Sequence, residues 1–156
     1  MKQVFEAYIE ECVLRKALKQ FRAAAKNGIE AIGLLAGEAG VWEGREFAVI
    51  TDYLAGKNKS TAATTRLERE GIAEIAAQLS ENKNDGKIIV GWIHSHPGYG
   101  CFMSAADEAA QRAFFTEKFS VAIVVDPLSG EKKVFKLDEN GCAREASYAV
   151  IARKRG

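Results

Sequence analysis

The chain contains only two histidines, and they fall together as His94-Ser95-His96. In an extended strand, residues two apart point to the same face, so both imidazoles can converge on one ion. Taken alone the pair says little, because neutral histidines are routinely satisfied by ordinary hydrogen bonds. After Pro97-Gly98-Tyr99-Gly100, which reads as a chain reversal, Ser104-x-x-Asp107 opens a helical segment. Two imidazoles and one carboxylate are three of the four tetrahedral positions of a catalytic zinc site, with the last left for water. The same Ser104 and Asp107 also have the spacing of a helix cap and its first-turn carboxylate, and spacing does not choose between these roles.

A water activated in this way also needs a general base that is not itself a ligand. Glu30 is the leading candidate, an acid at the start of an otherwise apolar strand; Glu38, at the far end of that strand, competes with it. A solvent-exposed position just past Asn27-Gly28 accounts for Glu30 equally well. Cys101 lies inside the motif but is assigned to packing, since free cysteine is commonly buried and the metal mechanism needs no thiol. Trp92 shares a strand face with His94, either as a wall of the pocket or as core. Phe102 and Met103, next to Ser104, either meet a partner or anchor the turn.

The elements that must carry these residues follow from periodicity. Val13, Leu14, Ala17, Leu18, Phe21, Ala24 and Ala25 recur at helical spacing, which predicts a helix over about Glu10 to Lys26, stopped by Asn27-Gly28. Ala31 to Gly37 and Arg45 to Leu54 read as strands, with Gly40 and Glu43-Gly44 as the turns between them. Ala55 to Thr65 reads as a mobile surface loop and Leu67 to Leu79 as a second helix, opened by a capping box at Thr65 and Glu68. Ile88 to His96 is a strand running into the histidines. A third helix is expected over about Ser104 to Lys118, with Ala106, Ala109, Ala110, Ala113 and Phe114 on its buried side. Ser120 to Val125 and Glu131 to Leu137 are strands joined by the turn 126–130, and Asn140-Gly141 is a further hairpin signal. Strands and helices alternating around one core make an α/β or α+β fold.

With 156 residues, the chain is expected to form one domain, and it is long enough to need no disulfide. Twenty-two basic against twenty-one acidic residues, a net charge of +1, argue against a nucleic-acid-coating surface. Cys12, Cys101 and Cys142 are widely separated and form neither a disulfide framework nor a thiolate zinc finger. Glu6, Glu10 and Glu11 interrupt what would be a signal peptide, and no apolar run nears the roughly 18 residues of a membrane span. A cytoplasmic protein without membrane association is expected. The residues 153–156 read as a basic, solvated tail.

His94-Ser-His-Pro-Gly-Tyr-Gly-Cys-Phe-Met-Ser104-Ala-Ala-Asp107 resembles the H-x-H, seven-residue, S-x-x-D motif of the JAMM (MPN+) metalloproteases, and Glu30-Ala-Ile-Gly-Leu-Leu-Ala-Gly37 resembles that family's glutamate-bearing strand. VGWIHSHPGYGC, Gln111 and SVAIVVDP look most like the deubiquitinating subunit of the proteasome lid and the deneddylating subunit of the COP9 signalosome. The resemblance implies an MPN fold over 1–156, a central mixed β-sheet flanked by about three helices with cytidine-deaminase-like layering. It also implies Zn2+ held by His94, His96 and Asp107, Glu30 as acid/base, and Ser104 as an oxyanion stabiliser. The implied activity is isopeptide hydrolysis after the C-terminal Gly-Gly of ubiquitin or a ubiquitin-like protein, with possible proteasome association. The family's insertion that contacts the ubiquitin tail corresponds to residues 55–65. The lid and signalosome members continue into a helical extension beyond the position where this sequence ends, so the catalytic domain alone is expected here.

Two other functions fit the same resemblance. One is a zinc hydrolase acting on a sulfur-carrier protein or a small amide; the other is a non-catalytic MPN assembly module, against which the complete set of ligand positions speaks. Deaminase chemistry needs H-x-E and P-C-x-x-C, and neither occurs.

Overall fold

The structure is a computed structural model that describes residues 4–55 and 86–152. The expected helix at Leu67 to Leu79, its capping box, the tip of the 55–65 loop and the basic tail lie outside the described residues. Within them the elements run β1 (Ala7–Glu10), α1 (Glu11–Ala25), β2 (Ile32–Trp42), β3 (Arg45–Ala55), β4 (Ile88–Ser95), α2 (Ala105–Phe114), β5 (Val121–Val125), β6 (Lys132–Leu137), β7 (Ala143–Glu145) and β8 (Tyr148–Ile151).

The helix α1 forms where the apolar spacing predicts it, and it buries Val13, Leu14, Ala17 and Phe21. It stops at Gly28, whose φ of +64° is a left-handed conformation that glycine adopts without steric cost. The eight strands form one curled mixed sheet in the order β7-β6-β5-β4-β2-β3-β1-β8. The connection between β7 and β8 spans its two ends: the Ala146 amide donates to the Val134 carbonyl (2.8 Å) and the Glu6 amide to the Ser147 carbonyl (3.0 Å). Beside it Arg144 grips Glu6 with two guanidinium nitrogens, at 2.6 and 3.1 Å.

One face of the sheet packs on α1 around Phe21, Leu35, Ile50, Val90, Ile93 and Ile123. The other face packs around Leu34, Trp92, Phe115, Val124 and Phe135, with Ala110 and Phe114 of α2 against it. Because β4 lies between β2 and β5 and is covered on both faces, its run Val90 to Ser95 is buried. A strand buried on both sides cannot alternate apolar with polar, which is why it reads as a continuous apolar segment ending in the histidines.

The β4–β5 pairing is parallel and brings the two backbones close at Gly91. A Cβ there would stand 2.0 Å from the Val121 carbonyl oxygen. That oxygen belongs to a buried strand and has nowhere to go. Gly91→Ala is therefore expected to cost about 3 kcal/mol or more, read as a fall in the urea midpoint with an unchanged m-value.

Several sequence expectations are corrected. Gly40 is not a turn: β2 runs on to Trp42, Gly40 pairs with Phe47, and Glu43-Gly44 alone makes the hairpin turn. The helix after the histidines ends at Phe114 rather than Lys118. Its inner face is not the alanine stripe either. Ala106, Ala109 and Ala113 are exposed, and Asp107, Ala110, Gln111 and Phe114 turn inward. The short strands β1 and β8 had no sequence counterpart, whereas β7 completes the hairpin that Asn140-Gly141 signals.

Candidate metal centre

His94 is the penultimate residue of β4, paired with Ile32 of β2 on one side and Val124 of β5 on the other. Both neighbours fix its backbone, so the imidazole direction is set by the sheet. His96 lies just past the strand end, its amide donating to the Val125 carbonyl at 2.8 Å. The two rings stand edge to face with centroids 4.9 Å apart. The alternation of strand side chains thus does what the H-x-H spacing predicts.

The third member arrives from α2. Ser104 caps the helix: its hydroxyl oxygen accepts from the Asp107 amide (3.1 Å), while Asp107 Oδ2 accepts from the Ser104 amide (3.0 Å). The same Oδ2 lies 3.1 Å from His94 Nε2 and 3.4 Å from His96 Nε2. Cap and cluster are one arrangement, which is why sequence spacing could not separate them. The ligand atoms of His94, His96 and Asp107 all lie within 4.8 Å of one another. Burial alone would raise the Asp107 pKa; the contacts with His94 and His96 and the Ser104 amide outweigh it and hold the carboxyl far below the usual carboxylate range.

The donor set fits a divalent cation. His96 Nδ1 faces the Gly100 carbonyl at 3.1 Å, and a carbonyl only accepts, so Nδ1 carries the proton. Nε2 of the neutral ring is then a lone pair facing a carboxylate oxygen, and only a cation, proton or metal, makes that contact favourable. Two buried imidazoles and a partly buried carboxylate, convergent, are a donor set that zinc, a borderline ion, takes.

His94 is held differently. Its Nδ1 is buried with no hydrogen-bond partner, and its ring is stacked on Trp92, with centroids 4.4 Å apart and planes 13° apart. Trp92 is 2% exposed, stacks on Phe115 from its other side, and donates its indole N–H to Gln111 of α2. It is core, and its ring backs the His94 imidazole. Gln111 is fully buried one helical turn after Asp107, a position whose role an amide-for-apolar pattern hides from periodicity. Gln111→Leu is expected to leave the buried indole N–H unpaired and to cost about 1–3 kcal/mol. Denaturant unfolding of that variant beside Trp92→Phe, Gln111→Leu, where no indole remains to be stranded, measures it: the double variant should recover part of the loss.

Of the remaining sequence candidates, Phe102 is 47% exposed beside the His96 ring (centroids 4.8 Å), and Met103 is partly buried against the second core. Tyr99, which sequence reading passed over, stacks on His96 at 4.7 Å and is 46% exposed. Leu128, 68% exposed, extends this apolar rim beside Gly98. Cys101 is buried and donates to the Glu131 carbonyl, and burial pushes its thiol pKa up, the opposite of a reactive thiolate.

Glu30 immediately precedes Ala31, whose amide donates to the Ser95 hydroxyl (2.9 Å) and whose carbonyl accepts from the Ser95 amide (3.0 Å). Ile32, the partner of His94, packs on the second core; Ala31 packs on the first. Alternation therefore returns residue 30 to the His94 face, opposite His96. Glu38 lies six residues further along β2, exposed and paired with Val49, roughly 20 Å from the His94 register position. By backbone register, residue 30 falls at the end of β2 nearest the histidines, and Glu38 lies farther along the same strand.

Residues 2–117 match the family described as JAB1/Mov34/MPN/PAD-1 ubiquitin protease, and the chain belongs to that family. Among curated relatives it is 30% identical over 150 residues to the 26S proteasome regulatory subunit RPN11 of Eremothecium gossypii, covering 95% of this chain and 45% of that protein. It is 29% identical over 133 residues to the ubiquitin carboxyl-terminal hydrolase RPN11 of Saccharomyces cerevisiae, covering 84% of this chain and 42% of that one. With COP9 signalosome complex subunit 5 of Debaryomyces hansenii it shares 32% identity over 121 residues, 74% of this chain and 25% of that one. The chain thus spans less than half the length of these relatives.

The fold itself matches the solution structure of protein DSY2949 from Desulfitobacterium hafniense, with a TM-score of 0.73 at 18% identity, covering 96% of this chain and 95% of that one. Among the described residues no helix is long and apolar enough to cross a membrane.

Proposed function

We propose that the chain is a zinc-dependent isopeptidase that cleaves between the C-terminal Gly-Gly of ubiquitin or a ubiquitin-like modifier and a lysine amine. The observation that carries this reading is the convergence of His94, His96 and Asp107 on one point, with Ser104 bonded to the same aspartate. The relatives named as a ubiquitin carboxyl-terminal hydrolase and as proteasome and COP9 signalosome subunits support the substrate class and assembly within a larger complex.

His94, His96 and Asp107 would hold the metal, which when bound lowers the pKa of a water toward about 7 and polarises the scissile carbonyl. Glu30 takes the proton from the attacking water and returns it to the departing lysine amine. Ser104 spends a lone pair on the Asp107 amide. Its O–H proton remains available to donate to the oxyanion, so capping and catalysis use different sides of one hydroxyl. The Tyr99, Phe102 and Leu128 rim offers apolar surface to an extended tail, and the buried ring of Trp92 excludes water behind His94.

Incubation with a panel of linear modifier fusions and isopeptide-linked chains, analysed by intact mass, tests the substrate class. Products ending in Gly-Gly are expected. Hydrolysis of small amides with every modifier left whole would assign the site to a different zinc hydrolase.

A further inference from the structure

Asp126 is not a ligand candidate, yet among the described residues its carboxylate gathers more backbone amides than any other side chain. It stands at the end of β5, 4% exposed, one residue past Val125, which pairs with Ser95. Its Oδ1 accepts from the amides of Gly98 (3.0 Å) and Leu128 (2.9 Å), with Ser129 at 3.4 Å; its Oδ2 accepts from the Gly100 amide (3.3 Å). Two separate turns, 97–100 and 126–129, are thereby tied to one buried charge. Gly98 and Gly100 have φ of +84° and +82°, conformations that turn their amides toward that charge and that other residues adopt only under strain.

The consequence passes through Gly100. Its amide is held by Asp126, and its carbonyl receives His96 Nδ1. This is the carbonyl that puts the proton on Nδ1 and leaves Nε2 as the lone pair facing Asp107. We propose that Asp126 is the positioning residue of the centre: through Gly100, whose amide and carbonyl lie in the two peptide units on either side of its Cα, it fixes the rotation and tautomer of His96 before any metal arrives. The two histidines are then held by unlike devices, His94 by a stacked indole and His96 by a carboxylate-anchored turn.

A pre-set ring costs nothing to orient on binding, and groups that orient a metal-binding histidine commonly matter about 10–100-fold in metal affinity. The inference rests on the metal-site reading above, and the experiment separates the two. Zinc affinity is measured by chelator competition for wild type, Asp126→Asn and a core control, Val134→Ala, alongside thermal unfolding. The nitrogen-15 shifts of the His96 ring are recorded without zinc.

Asparagine keeps the size but turns an NH2 toward some of the four amides. Asp126→Asn is expected to weaken zinc binding by about 10-fold or more and to shift the His96 ring from one tautomer to a mixture. Val134→Ala should lower the melting temperature and leave both readings at wild type. If Asp126→Asn does not fold, Asp126→Glu, which keeps the charge and displaces it by one methylene, carries the same two readings. Wild-type zinc affinity together with an unchanged His96 tautomer in the variant that folds would overturn the positioning role while leaving the proposed function intact. A wild-type protein that binds no zinc would instead overturn the function.

Discussion

Asp107→Asn is expected to abolish stoichiometric zinc binding while the protein stays folded. The two properties separate because Asp107 does two things with one oxygen. As a cap it needs only an acceptor for the Ser104 amide, 3.0 Å away, and an asparagine carbonyl oxygen supplies that. As a partner of two imidazoles it needs negative charge, which asparagine lacks. Loss of the cap interaction costs about 1 kcal/mol in Asp107→Ala; in Asp107→Asn the unfolding free energy should stay within about 1 kcal/mol of wild type. Zinc content, measured by elemental analysis after dialysis, should fall from about one per chain to a small fraction of that in both variants. Turnover should fall with it. An Asp107→Asn protein that holds zinc stoichiometrically would mean that His94 and His96 have another partner.

Glu30→Gln is expected to give the complementary result: zinc and fold retained, turnover lost. A glutamine is nearly the same shape and cannot accept and return a proton, and general acid–base groups typically contribute about 10²–10⁴-fold. The loss should appear in kcat with KM nearly unchanged, since the residue is assigned to proton transfer rather than to binding. Glu38→Gln, some 20 Å along the strand, should behave as wild type. A Glu30→Gln enzyme at full activity would remove the base from this position, and the register of β2 against β4 offers no second carboxylate on that stretch of strand.

What could be read from residues alone follows the strength of the local signal. The helix α1 and strands β2 to β6 carry long, one-sided or fully apolar runs, and their existence followed from periodicity. The short strands β1, β7 and β8 are three or four residues each and partly polar. β7 pairs locally with β6 across the Asn140-Gly141 turn. What holds β1 and β8 is non-local, since they pair with each other across the length of the chain and Glu6 meets Ser147 and Arg144 some 140 positions away, pairings that no window of sequence contains. Helix α2 misleads for a different reason. Its inward positions include Asp107 and Gln111, each drawn inside by a partner from β4, so the most functional face looks polar and the small exposed alanines look like core. Tertiary hydrogen bonding overrides the hydrophobic pattern there.

The histidines, Ser104 and Asp107 were legible because a strand's period of two and a helix cap's period of three fix their directions without knowledge of the fold. Glu30 was legible only as one of two acids flanking an apolar run, and the β2–β4 register favours it for the base proposed here because it lies at the histidine end. Asp126 read as an ordinary turn residue. Besides its own turn, it supports one that belongs to the histidines, through Gly98 and Gly100 more than two dozen positions away. The Trp92–Gln111 bond was hidden in the same way, across 19 positions between a strand and a helix.

The most direct test of the account is cleavage of a ubiquitin-like fusion by the purified protein before chelation, after removal of metal, and after zinc is restored. Cleavage after the terminal Gly-Gly should be present, then absent, then recovered, with about one zinc per chain in the active states. Full cleavage by a protein shown to contain no metal would contradict it.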